Sequence, residues 1–142
     1  MTSKNSWVIR KETLPQSTDH AGVLWHGYYL NWLEEARLDA LSKAGLKYID
    51  LIKEGFEMPV VSIEIKYKLP IFHGEEILIE SEFFINESPR INIKSNFIGG
   101  NGRIRTSTNV DVVLINKKNF TIVRKKPKVL TEAFNNLKNG PK

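Results

Sequence analysis

At 142 residues, 41% hydrophobic and 26% charged, the chain has the size and balance of one globular unit and is expected to form a single domain over residues 1–142. It contains no cysteine, which excludes disulfides, cysteine-ligated metal centres and a thiol nucleophile. A net charge of +5 suits an anionic partner, whether nucleic acid, an acidic membrane surface or a phosphate-bearing small molecule, without choosing among them.

The first predicted element is a strand over residues 7–14, closed by Pro15. Residues 15–22, PQSTDHAG, are turn-forming and N-capping types and read as a loop. A helix follows over 30–45, where Leu30, Leu33, Ala36, Leu38, Ala40, Leu41 and Ala44 recur mostly at three- and four-residue steps and Gly45 stops the run. One or two further helical turns are expected over 47–54. From there the period changes to two. Ile63, Ile65, Tyr67 and Leu69 alternate with Ser62, Glu64, Lys66 and Lys68, the pattern of a half-buried strand ending at Pro70. Strands are expected over 76–85 and 90–98, then a tight GGNG turn at 99–102. A long strand over 103–115 follows, with Ile104, Thr106, Thr108, Val110, Val112 and Leu114 on one face. NKKN turns the chain into a short strand, FTIVRK, and VLTEAFNNLK after Pro127 reads as a terminal helix.

This order, a strand, a long helix and a meander of about five antiparallel strands, predicts an α+β hotdog fold: a curled sheet wrapped around one long helix. A different α+β sheet with a helix on one face would produce a similar string. The N-terminal stretch MTSKNSWVIRKE lacks the apolar core of a leader, and no apolar run approaches the roughly 20 residues that span a bilayer. The expected location is the cytoplasm.

The chemistry is concentrated in Thr18-Asp19-His20-Ala21-Gly22-Val23-Leu24-Trp25-His26-Gly27-Tyr28-Tyr29 and the helix behind it. A carboxylate stands in a loop just before a helix whose first amides lack intrahelical acceptors. Those amides and the positive end of the helix dipole suit a developing oxyanion, and a carboxylate beside them suits attack on a thioester carbonyl or activation of water. No metal or cofactor is needed for this. The structural alternative for Asp19 is a plain capping or loop carboxylate.

The stretch resembles the signature of the 4-hydroxybenzoyl-CoA thioesterase family of hotdog enzymes. Asp19, Ala21, Gly22, Val23, Leu24, Trp25 and Tyr29 hold its places, the match runs on through Trp32, Leu33, Glu34, Ala36 and Arg37, and the Pro70-x-x-x-Gly74 turn is similar too. The resemblance implies acyl-CoA thioester hydrolysis, with Asp19 as catalytic carboxylate and the His26 backbone N–H polarising the carbonyl. It makes Glu34 a contact for a polar acyl group, and Gly22, Trp25 and Tyr29 part of the substrate site. Where relatives often carry an aromatic residue shortly before the aspartate, this chain has Leu14, Pro15, Gln16 and Ser17. That departure leaves the acyl group open among aryl, hydroxyaryl and aliphatic chains.

The His26 imidazole could orient water or pack at an interface; His20 and His73 read as ordinary loop and turn residues. Their spacing resembles no zinc pair, so no metal site is expected. Arg90, Lys94, Arg103 and Arg105 alternate on strands and are candidates for the CoA phosphates, Arg90 and Arg103 foremost, with the basic stretch 117–128 as an alternative. Each has an ordinary reading as surface charge. An exposed sheet edge and an open helix flank predict a homodimer, and the family resemblance implies a homotetramer as the alternative. No membrane is expected as a partner, since no apolar run is long enough to span one, and no nucleic acid either, since Tyr67 alone lies between lysines and strand alternation turns it away from both. The rival within the fold is a non-catalytic acyl-CoA-binding hotdog module, which would need no carboxylate at position 19.

Overall fold

The computed structural model describes residues 5–141. The first four residues of the expected leaderless N-terminus, and residue 142, lie outside the described residues. Eight strands and three helices follow in order: β1 (Trp7–Glu12), α1 (His26–Lys43), α2 (Tyr48–Lys53), β2 (Phe56–Glu57), β3 (Val60–Tyr67), β4 (Glu76–Phe84), β5 (Arg90–Ile98), β6 (Ile104–Val113), β7 (Ile115–Asn116), β8 (Thr121–Ile122) and α3 (Lys128–Asn139). A 3-10 turn covers Pro15–Ser17.

Five antiparallel strands form the main sheet in the order β1-β4-β5-β6-β3, and β2, β7 and β8 form a second, small sheet. The order corrects the expected meander. β3 does not pair with its successor β4; it pairs with β6, from Tyr67 opposite Thr106 to Val60 opposite Val112. The connection between β3 and β4 is too long and too strongly anchored for a hairpin. Lys68 and Leu69 donate their amides to the Arg105 carbonyl at 2.9 Å each, and the Arg105 guanidinium reaches the Pro70 carbonyl at 2.9 Å. The second sheet was only partly legible, because its strands are two residues each and leave no periodicity to read.

α1 buries Tyr29, Trp32, Leu33, Ala36, Arg37, Ala40 and Leu41, a stripe alternating steps of three and one. That stripe meets Ile77, Ile79, Phe83, Ile91, Phe97, Val110 and Val112 from the sheet in one continuous core. The helix starts at His26, four residues before the start that apolar spacing suggests, because its first turn is polar and aromatic and faces the loop region. Gly45 ends it as expected, with the Leu46 amide returning to the Leu41 carbonyl at 3.1 Å. α3 buries Leu130, Ala133, Phe134 and Leu137 and is tied to β1 by the Trp7 indole N–H, which donates to the Leu137 carbonyl at 2.9 Å.

A second correction concerns β3. Its alternation predicts a half-buried strand, yet Val61, Ile63 and Tyr67 are exposed. The strand is an edge of the sheet: Ile65 packs against the core, while Val60 and Ile63 border an open cavity with Leu30, Leu33 and Arg37 of α1. Ile104, at the start of β6, is also exposed, whereas the rest of its face, from Thr106 to Leu114, is buried as expected.

Candidate active site

The loop that carries Asp19 is a tight reversal. Thr18 and Leu24 bridge antiparallel, the Asp19 amide donates to the Val23 carbonyl at 2.9 Å, and the Gly22 amide returns to the Asp19 carbonyl at 3.0 Å. Closing the reversal needs a left-handed residue, and Gly22 supplies it at φ +78° without a Cβ clash. Asp19 Oδ1 accepts the Ala21 amide at 2.8 Å, an Asx turn that fixes the carboxylate relative to its own backbone. The loop is stitched to the segment after β3: the Leu24 amide donates to the Ile71 carbonyl at 2.7 Å and the His73 amide to the Gly22 carbonyl at 3.1 Å.

α1 begins directly behind this loop. Trp25 is its N-cap residue, with extended backbone and no side-chain cap, and its amide donates to the Ser17 carbonyl at 2.9 Å. His26 is therefore the first helical residue, and its N–H stands where the helix itself offers no acceptor. The Trp25 ring folds back over Gly27, so closely that a Cβ there would lie 2.1 Å from the ring.

Asp19, His26, Tyr29, Tyr67, Lys68 and Pro70 line one cleft of about 420 Å³. Its floor is aromatic: the Tyr29 ring meets Tyr67 edge-on at 4.9 Å between centroids and leans on Phe97 at 5.3 Å. Burial pushes the Tyr29 phenol above its ordinary pKa, so it is a neutral hydrogen-bonding group at physiological pH. The buried Thr106 hydroxyl stands beside that phenol and offsets part of the rise. The cleft thus combines an anchored carboxylate, helix-terminal amides, an apolar aromatic wall and one lysine. Such a set can hold a carbonyl oxygen and deliver a nucleophile to its carbon. Among the described residues no group of three or more His, Cys, Asp or Glu could hold a metal ion.

The other sequence candidates disperse. Gly22 closes the Asp19 turn, and Trp25 is 46% exposed beside His26, their rings 4.9 Å apart. Glu34 lies two turns further along α1, on a separate cavity of about 230 Å³ shared with Leu33, Arg37 and Ile63. Its carboxylate stands 3.6 Å from the buried Arg37 guanidinium, which burial pulls below its ordinary pKa. Arg103 lines a groove beside the cleft, sharing Leu69 and Pro70 with it. Arg90 is at the opposite end of the sheet, paired with Asp111 at 3.0 Å, and the basic stretch 117–128 lies beyond that same end. Arg105 is engaged by Glu75 at 2.7 Å. Tyr67 and Lys68 were missed as cleft residues. Their only signal was their place at the end of a strand just before the Pro70 turn.

A family model described as the thioesterase-like superfamily matches residues 13–124. A Synechocystis sp. protein classed as an esterase is 32% identical over 119 residues, 83% of this chain and 72% of its own length. A Bacillus subtilis protein classed as an acyl-CoA thioesterase is 38% identical over 64 residues, 45% of this chain and 46% of its own. Among solved structures, a DHNA-CoA thioesterase from Staphylococcus aureus is similar with a TM-score of 0.83 and 28% identity, covering 92% of this chain and 89% of that one.

Proposed function

The chain belongs to the thioesterase-like superfamily and is a thioester hydrolase, and on that premise we propose that it cleaves an acyl-CoA with Asp19 as the catalytic carboxylate. One observation carries the assignment: the Asp19 carboxylate and the first residue of α1 line the same cleft. The thioester carbonyl oxygen accepts the His26 N–H, where the helix dipole favours the negative charge that builds as the carbon becomes tetrahedral. If Asp19 takes a proton from an attacking water, collapse expels CoA as thiolate and leaves the free acid; if Asp19 itself attacks, collapse expels CoA thiolate and leaves a mixed anhydride on Asp19, which water then hydrolyses to the free acid and the regenerated carboxylate.

The acyl group lies against Tyr29 and Tyr67, an aromatic wall that favours a flat aroyl substrate. The S. aureus relative, named for a DHNA-CoA substrate, supports the same reading. Arg103 and Lys68, on the Pro70 side of the cleft, are the CoA-phosphate contacts we favour over Arg90.

The functional unit is a single hotdog domain, its sheet curled around α1, that assembles as a homodimer or homotetramer through the open flank of α1 and β3 in the cytoplasm. The apolar β3 side chains left in water support that assembly. Glu34 faces the same flank, so a second copy would bring its carboxylate toward a neighbouring acyl group.

The reading is tested by free-thiol release from aroyl-, short-chain and long-chain acyl-CoA esters. Turnover of aroyl-CoA above the aliphatic esters is expected. Tight binding of every ester without turnover would instead mark a non-catalytic acyl-CoA-binding module.

A further inference from the structure

The small sheet carries a hairpin that thioester chemistry does not use. β7 and β8 are joined through residues 117–120, and Phe120 closes the turn at φ +57°, the one non-glycine residue with positive φ among the described residues. A bulky side chain is disfavoured there, because its Cβ crowds the neighbouring carbonyl; glycine or asparagine would fit with less strain. The ring is 73% exposed, so packing within the chain does not explain it.

The turn is nonetheless fixed. The Phe120 amide donates to the Asn116 carbonyl at 2.8 Å, the Lys118 amide to Asn116 Oδ1 at 3.0 Å and the Lys117 amide to the Gly55 carbonyl at 2.9 Å. The aromatic is held outward with its ordering already in place.

Charge gathers around it. No acidic residue occurs between Asp111 and Glu132, while Lys117, Lys118, Arg124, Lys125 and Lys128 are all exposed. None of the ion pairs among the described residues engages them. Lys126 is different: it turns inward to the Asn86 and Ser88 carbonyls. Ile122, two residues beyond Phe120, is exposed as well.

We propose that this hairpin docks the protein on an anionic lipid surface, with Phe120 entering the headgroup–acyl boundary and Lys117 and Lys118 against the headgroup phosphates. A four-residue convex tip presents far less than the roughly 800 Å² per partner of a stable protein interface. A lone aromatic would need a matching hollow in a rigid partner, whereas a lipid interface deforms around it. Single-stranded nucleic acid is bound on several stacking aromatics in a groove, and this tip carries one. The hairpin lies beyond the Val60–Val112 end of the sheet, and the Asp19 cleft adjoins the Tyr67–Thr106 end, so docking leaves the cleft open.

The test is co-sedimentation of the full chain with vesicles of phosphatidylglycerol in phosphatidylcholine and of phosphatidylcholine alone. Wild type is expected to pellet with the anionic vesicles only, and to release as salt rises. Phe120→Gly relieves the backbone, so its Tm and its thioester turnover in solution should stay at wild-type level or above, while vesicle affinity falls about tenfold or more. Phe120→Asn, which also tolerates that backbone, gives an independent reading of the same loss. Lys117→Glu with Lys118→Glu should weaken binding by more than about 25-fold, at roughly fivefold per basic residue near an anionic surface. No sedimentation of wild type with anionic vesicles overturns the proposal. So does undiminished binding by Phe120→Gly and Phe120→Asn, or retention on RNA or an acidic protein in place of vesicles.

Discussion

The carboxylate of Asp19 is set by its neighbours more than by its own rotamer. The Ala21 amide fixes one oxygen, Gly22 closes the turn, and two backbone hydrogen bonds to the 71–73 segment hold the loop against the cleft wall. This constellation was legible in the sequence because turn chemistry is local: Asp followed by a small residue and glycine, then a helix start. The reach of Glu34, Arg90 and the basic stretch was not legible, because residue spacing along a strand says nothing of which end of the sheet meets the site. Gly27 gives a prediction at this scale. A Cβ at position 27 runs into the Trp25 ring, and that ring is exposed enough to swing aside. Gly27→Ala should therefore change stability by less than about 1 kcal/mol, shift tryptophan emission, and lower kcat/KM for the acyl-CoA ester, because the displaced ring lies beside His26.

At the scale of elements, the 68–75 connection decides the cleft. It supplies one wall, and Arg105 pins it through the Pro70 carbonyl and both Glu75 oxygens, at 2.9 and 2.7 Å. The Arg105 guanidinium holds the Glu75 carboxyl below its usual pKa. A carboxylate depressed on folding contributes stability that is present above its unfolded pKa of about 4.3 and lost as pH falls through the lower folded value. Glu75→Gln should thus be less stable than wild type at pH 7, and the difference should shrink as pH falls through the lowered folded value, as followed by urea unfolding across pH. Arg105→Met removes three hydrogen bonds donated by a buried cation and should cost about 1–3 kcal/mol, with KM raised as the wall loosens. Strand and helix identities were readable here from periodicity. Strand order was not, since period-two alternation in β3 fits pairing with β4 or with β6 equally well, and only the anchored connection tells them apart.

For the whole molecule, the sequence carried the α+β composition and the helix-over-sheet core, because both follow from apolar spacing that survives any strand order. It could not tell whether the alternating face of β3 is covered within the chain or by something outside it. In the isolated chain Ile63 is 43% and Tyr67 56% exposed on an unpaired edge, next to the flank where Glu34 and the buried Arg37 lie. On the proposed assembly, wild type should sediment as a dimer or tetramer, while Ile63→Lys should remain folded by circular dichroism, sediment as a monomer and lose most turnover. A monomer with full activity would show that each chain carries a complete site.

The most direct measurement is free-thiol release by wild type and Asp19→Asn on the preferred aroyl-CoA ester, beside CoA-ester binding by both. The account predicts that the variant binds with near-native affinity and loses about two or more orders of magnitude in kcat. Turnover by Asp19→Asn at the wild-type rate would contradict it, and would move the catalytic carboxylate away from the loop before α1.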